Sequence, residues 1–167
     1  MVHSLKNYLN VVVTFSIAYA VALACSIGGL EYNGFSIILI CMLISFFVHW
    51  IAFIPSFFLK TEKYYDISGT LAYVCVIFTA LFLTKSESGG TLNVRSTVTI
   101  VLVLIWAIRL GVFLFSRVLK AGEDRRFREV KKFFAKFLVW WSMSALWVFL
   151  TTVNALVMII NNVAYYN

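Results

Sequence analysis

The sequence predicts an all-α integral membrane protein of about five transmembrane helices, with an amphipathic interfacial helix near 123–137. Three observations carry this. The chain is 62% hydrophobic and 13% charged, whereas soluble domains run near one quarter charged. Its mean hydropathy is +0.94. Five apolar runs, at roughly 9–30, 35–59, 67–84, 96–119 and 134–160, approach or exceed the length of about 20 residues that a bilayer core requires of a helix. One proline and eight glycines leave no linker, and no internal repeat is visible, so residues 1–167 read as a single helical membrane domain.

The first run is too long for a signal-peptide core and lacks a small-x-small cleavage site, so it is expected to be retained. The turn sequence EYNG at 31–34 separates it from the second run, KTEKYYD at 60–66 ends the second, and KSESGGTLN at 85–93 ends the third, which is the shortest. Between the fourth and fifth runs lies KAGEDRRFREVKKFFAKF, residues 120–137. There Phe127, Val130, Phe134 and Phe137 recur at helical spacing with basic residues between them. That pattern suits an amphipathic helix at the membrane surface, a cytoplasmic extension of the last span, or a solvated basic loop that sets topology.

Charge is distributed unevenly. Of the fourteen Lys and Arg residues, eight lie between Arg117 and Lys136; with Lys6, Lys60 and Lys63 they put eleven on one side, against Lys85 and Arg95 on the other. By the positive-inside rule the N-terminus is expected on the cytoplasmic or matrix side and the C-terminus on the opposite side. The membrane itself (mitochondrial inner, endoplasmic reticulum or bacterial inner) stays open. The basic cluster points to anionic lipid or another anionic ligand and not to nucleic acid, since the chain offers no soluble binding face. Cys25, Cys41 and Cys75 all fall in apolar runs without metal-ligand or disulfide spacing, so no metal site is expected.

The polar residues inside the spans are the informative ones. Arg109 lies eight residues inward of Arg117, about 12 Å at helical rise. It either snorkels toward the surface with a partner or faces a bundle interior or wet cavity. The expected partners are a tyrosine or Asp66 from the start of the third span, or Glu123 or Asp124 folding back. Trp106, Arg109, Phe113 and Arg117 share one helical face by spacing. Tyr64, Tyr65, Asp66 and Ser68 start the third span on the same side, and Glu123, Asp124, Arg125 and Arg126 follow the fourth. Together they predict an inward-facing polar cavity for an anionic head group or nucleotide phosphates. His49 reads as a hydrogen-bonded packing residue, and with His3 in the N-terminal tail a bis-histidine haem is not expected. Asn154 reads as interhelical glue.

KYYDISGTLAYV at 63–74 and WAIRLGVFLFSRVLKAGEDRRF at 106–127 resemble the steroid 5-alpha-reductase-like membrane proteins, in particular their microbial and protist branch of unknown function. The shared pattern is an aromatic–Asp–x–(Ser/Thr)–Gly start to one span, then Trp-x-x-Arg-Leu, an arginine, and Glu-Asp-x-Arg before an aromatic. It covers roughly residues 60–150. The resemblance implies a multi-helix reductase that uses NADPH on a carbon–carbon double bond conjugated to a carbonyl in a lipid-like substrate. It places Arg109, Arg117 and Glu123 to Arg126 near the family's cytoplasmic cofactor opening, and Tyr64, Tyr65 and Asp66 in the other motif. The family's later stretch resembling Ser-Arg-His-Pro-Asn-Tyr-x-Gly-Glu, which supplies most nucleotide contacts, has no counterpart before the chain ends at NNVAYYN.

The expectation is therefore an accessory or structural subunit with a truncated reductase-like fold. It would sit within a larger membrane complex, such as a respiratory assembly, with other membrane chains and anionic lipid as partners and no cofactor of its own. The alternative is half of a split NADPH-dependent reductase completed by a second chain. A cysteine placed at Gly90 should be labelled from outside the membrane and one at Glu129 protected; the reverse pattern would overturn the orientation.

Overall fold

The computed structural model describes residues 2–88 and 93–164, with side chains described from 4 to 161 within those ranges. Five helices account for most of them: α1 (Val2–Ser26), α2 (Ile37–Phe58), α3 (Tyr65–Ser88), α4 (Val94–Ala121) and α5 (Phe134–Ala164). Each is long and apolar enough to cross a membrane, and the protein is an integral membrane protein on that basis. Helix ends fall close to the turn sequences. The tip of the 85–93 connection, Gly89 to Leu92, including Gly90, lies outside the described residues.

Local chemistry sets the boundaries. α1 stops at Ser26, four residues before the apolar run does, because Gly28 takes a left-handed conformation. EYNG forms a two-strand ribbon of β1 (Glu31–Tyr32) and β2 (Phe35–Ser36). Asn33 and Gly34 sit at φ 50° and 79°, as a tight primed turn requires. At α4, the Asn93 side chain accepts from the Ser96 N–H at 2.8 Å, and Gly122 at φ 78° closes the other end by donating to the Val118 carbonyl.

The expected amphipathic helix near 123–137 is not one helix. Residues 125–127 and 130–132 form two 3-10 turns, and α5 begins only at Phe134. The Asp124 carboxylate accepts from the Arg126 N–H at 3.0 Å, which turns the chain back before an α-helix can extend. Of the four apolar positions, Phe127 and Phe137 are buried and Val130 half-buried, while Phe134 is exposed.

α5 packs against all four other helices, and α2 against α3 and α1. α1 and α4 are peripheral, with 17% of their most apolar stretch buried, against 44% for α2 and α3 and 50% for α5. α2 and α5 are joined by polar contacts on successive turns. Ser45 donates to the Ala145 carbonyl at 2.9 Å, His49 Nε2 meets Ser144 Oγ at 3.0 Å, and Trp50 donates to Ser142 Oγ at 3.1 Å. Around them lies a core that includes Met42, Phe46, Ile77, Phe149 and Leu156. A second cluster at the basic end joins Phe53, Phe127, Phe137 and Trp141.

α4 meets α3 through small residues. Ala107, Gly111 and Val118 face inward, and a Cβ built on Gly111 would lie 1.9 Å from Thr70 Oγ1. Close backbone approach of this kind drives helix association in lipid, where apolar side chains gain little by leaving the bilayer. Gly111→Leu is expected to destabilise the protein by about 1–3 kcal/mol through overpacking. Thr70→Gly in the same chain should recover part of the loss, read as the thermal midpoint in mild detergent.

Candidate functional site

The basic end of the bundle is organised by carboxylates. Glu62, in the connection between α2 and α3, has a side chain only 2% exposed. Its Oε1 accepts the Asp124 N–H at 2.9 Å and its Oε2 accepts from Lys131 Nζ at 2.7 Å. One acid therefore ties the 60–64 connection to the 122–133 connection. Asp124, 10% exposed, holds the Arg126 guanidinium through Nε at 3.0 Å and lies 3.7 Å from Arg117. Asp66, equally buried, is 3.9 Å from Arg117. Farther out, Arg128 pairs with Glu123 and Lys132 with Glu129. The hydrogen bond from Arg126 holds the Asp124 carboxyl below the usual carboxylate range, and that from Arg128 does the same for Glu123.

Aromatic rings brace this network. Phe127 is 1% exposed, 4.7 Å from the Tyr65 ring and 5.2 Å from that of Trp140, with the Arg126 guanidinium 5.5 Å over its own face. Tyr65 donates to the Trp140 carbonyl at 3.0 Å, and its hydroxyl lies beside that of Ser144.

Above the network opens a cleft of about 970 Å³. α3 and α5 form its floor, through Gly69, Thr70, Tyr73, Met143 and Trp147, while α1 and α4 contribute Val13, Ile17, Leu110 and Leu114 as walls. Asp66, Tyr65, Ser144 and Arg126 are its polar groups at the basic end. Such a space matches an amphiphile with an apolar body and one polar end. A second, smaller cleft of about 570 Å³ lies between the start of α1 and the start of α5, lined by Ser4, Asn7, Tyr8, Lys132, Phe133 and Lys136. Lys136 rests over the Phe133 ring at 4.9 Å.

Of the residues expected from sequence, the structure brings together Tyr65, Asp66, Arg117, Asp124 and Arg126. It does not bring in the others. Arg109 is exposed on α4 and makes no ion pair or hydrogen bond among the described residues, so the pairing expected for it belongs to Arg117 instead. The cause is rotational. Ala107 and Gly111 take the inward face of α4, which turns Arg109 and Phe113 outward and leaves Trp106 at the edge, its ring 5.2 Å from that of Tyr73. Tyr64 and Arg125 are exposed, and Glu123 engages Arg128 away from the cleft. The cavity is correspondingly mostly apolar, and of the expected arginines Arg126 alone lines it among the described residues. Asn154 is exposed on α5 and bridges no helices among the described residues. His49 is satisfied at both nitrogens, by the Ser45 carbonyl at 2.7 Å and by Ser144, as a packing residue should be.

Glu62, Lys131 and Ser144 stand outside the expected set. Glu62 had one available signal, as the single acid among Lys60 and Lys63, four residues before Asp66. Ser144 had none, because a serine within a span looks the same whether it faces a cleft or a backbone carbonyl.

A dinucleotide phosphate requires several convergent, unneutralised donors. Here Arg126 is held by Asp124, Arg117 lies between two carboxylates, and Arg109 and Arg125 point elsewhere. The residues present do not fit NADPH phosphates.

Residues 52–165 match the family described as a protein of unknown function, DUF1295. That is well over half of the chain, so the protein belongs to the DUF1295 family, a steroid 5-alpha-reductase-like family of unknown function. No curated protein and no solved structure matches the chain.

Glu62→Ala strands the Asp124 N–H and the Lys131 ammonium, and is expected to cost about 3–5 kcal/mol, with Glu62→Gln intermediate because it keeps one acceptor. Limited proteolysis between 120 and 133 together with the thermal midpoint will report it. Acid should act similarly. Asp124 titrates below its ordinary value of 3.8, so its contribution is complete above that pH and is lost as pH falls through the lowered value. The Asp124 contribution should therefore be lost, and protease access to this segment rise, as pH falls below its ordinary value of 3.8.

Proposed function

We propose that this DUF1295 protein is an accessory subunit of a larger membrane assembly, binding anionic phospholipid at its basic end and an apolar chain in its cleft, and that it is not a self-contained reductase. The observation that carries the reading is the neutralisation of the arginines: those nearest the cleft are engaged by Asp66 and Asp124. The exposed cations that form no ion pair among the described residues include Arg125, and Lys136 at the smaller cleft. Lys and Arg at a membrane surface attract anionic head groups, an attraction screened by salt beyond about 8 Å at physiological ionic strength. The eleven-to-two charge asymmetry supports placing this end, with the N-terminus, on the cytoplasmic or matrix side.

A second reading, half of a split NADPH-dependent reductase, draws on one specific feature. Tyr65 and Ser144 bring hydroxyl groups to the polar end of a cleft large enough for a lipid-like substrate. In that reading a complementary chain supplies the nucleotide site and the hydride, while Tyr65 is the nearest proton donor this chain offers.

Two measurements separate the readings. The purified chain should bind anionic phospholipid in nanodiscs, with affinity falling as salt rises and falling several-fold in Arg125→Gln/Lys136→Gln. It should show no saturable NADPH binding by fluorescence. Stoichiometric NADPH in a preparation free of other chains would overturn the proposal, and NADPH binding restored by one co-purifying reductase-like chain would favour the second reading.

A further inference from the structure

We infer that a membrane-spanning helix of a different polypeptide docks along the outer face of α4 and places a carboxylate against Arg109. The inference rests on the accessory-subunit reading. Arg109 stands eight residues from Arg117 and fourteen from Arg95, about 12 and 21 Å along the helix. It is flanked by exposed Ile105, Ile108, Val112 and Phe113, and nothing in the described part of the chain neutralises it. Snorkelling recovers only part of such a depth. Intramembrane arginines almost always face a bundle interior or a partner group, because acyl chains offer a guanidinium no acceptor. The apolar face around Arg109 thus presents a donor that lacks its acid.

Charge complementarity also says whose acid it is. The chain has seven carboxylates: Glu31, Glu62, Asp66, Glu87, Glu123, Asp124 and Glu129. Each lies in a connection, in the ribbon, or in the first or last turn of α3. None sits at the depth of Arg109, so residues 1–167 of a second copy packed against α4 do not supply the counter-charge. A different chain with an Asp or Glu inside a span can, and Gly111 and Thr70 already hold α4 in place from its other side.

The test uses the full chain in its native membranes, with the photoreactive amino acid benzoylphenylalanine replacing Ile108, and Ile51 on the exposed face of α2 as the control position. Irradiation at 108 should give one adduct to a different polypeptide, with the cross-linked peptide in a span that contains Asp or Glu; position 51 should not give it. Arg109→Leu should lower the adduct yield at least about tenfold and Arg109→Lys less, as expected when a buried charge pair is broken. Arg109→Glu should abolish the adduct, and arginine at the partner's acid should restore it. Because Arg109 makes no ion pair or side-chain hydrogen bond within the described chain, the isolated Arg109→Leu protein should keep its thermal midpoint; if it does not, the charge exchange decides. An adduct between two copies, adducts to lipid only, or a yield indifferent to Arg109→Leu would overturn the inference. If a partner co-purifies in mild detergent but position 108 captures nothing, this inference alone fails. If no polypeptide co-purifies, the accessory reading fails with it.

Discussion

The buried carboxylate of Glu62 is the constraint on which the basic end depends. It ties its own connection to a segment more than sixty residues later, whose Asp124 backbone N–H and Lys131 side chain take its two oxygens. With that anchor in place, Asp124 is positioned to collect Arg126 and approach Arg117, and Phe127 is carried into the aromatic cluster beside Tyr65. A buried acid with both oxygens occupied is costly to disturb from either side, since removing one partner leaves a charge that water cannot reach. The connection between α4 and α5 is therefore an ordered part of the bundle and not a tether.

The same anchor shapes the cleft. Arg126 and Asp66 form its polar end because Asp124 fixes the first and the start of α3 fixes the second. Positive and negative groups are matched there, so the cleft itself has little net field to attract a strongly anionic ligand. Uncompensated charge lies farther out, at Arg125 and Lys136. This end of the molecule thus divides into a charged surface and an apolar interior, and on the proposed reading that division is matched to a phospholipid molecule.

Much of the fold was legible in the sequence because turn chemistry is local. The turn at EYNG and the onset of α5 at Phe134 each follow from a few residues. The convergence of Asp66, Arg117 and Asp124 was legible too, since spacing and topology bring them to one end. The rotation of α4 was not. In water the apolar face of a helix is its buried face, but in lipid both faces are apolar, and small residues decide which one packs. Ala107 and Gly111 decided it here, against the more conspicuous Trp106, Arg109 and Phe113. The segment after Gly122 misled for a related reason: the recurrence of Phe127, Val130 and Phe137 reports a shared interior side, which two 3-10 turns satisfy as well as one helix does. Glu62 escaped because a lone acid between lysines resembles ordinary loop composition.

The contacts from Ser45, His49 and Trp50 to α5 recur over successive turns and fix the sliding register of α2 against α5. α1 and α4 have no comparable fastening to each other. Any widening of the cleft is thereby left to its two outer walls, and on the proposed lipid-binding reading a guest would enter sideways from the bilayer instead of from the aqueous phase. A molecule taking that route is already concentrated by partitioning, so occupancy follows its mole fraction among the lipids and is insensitive to how dilute it is in water.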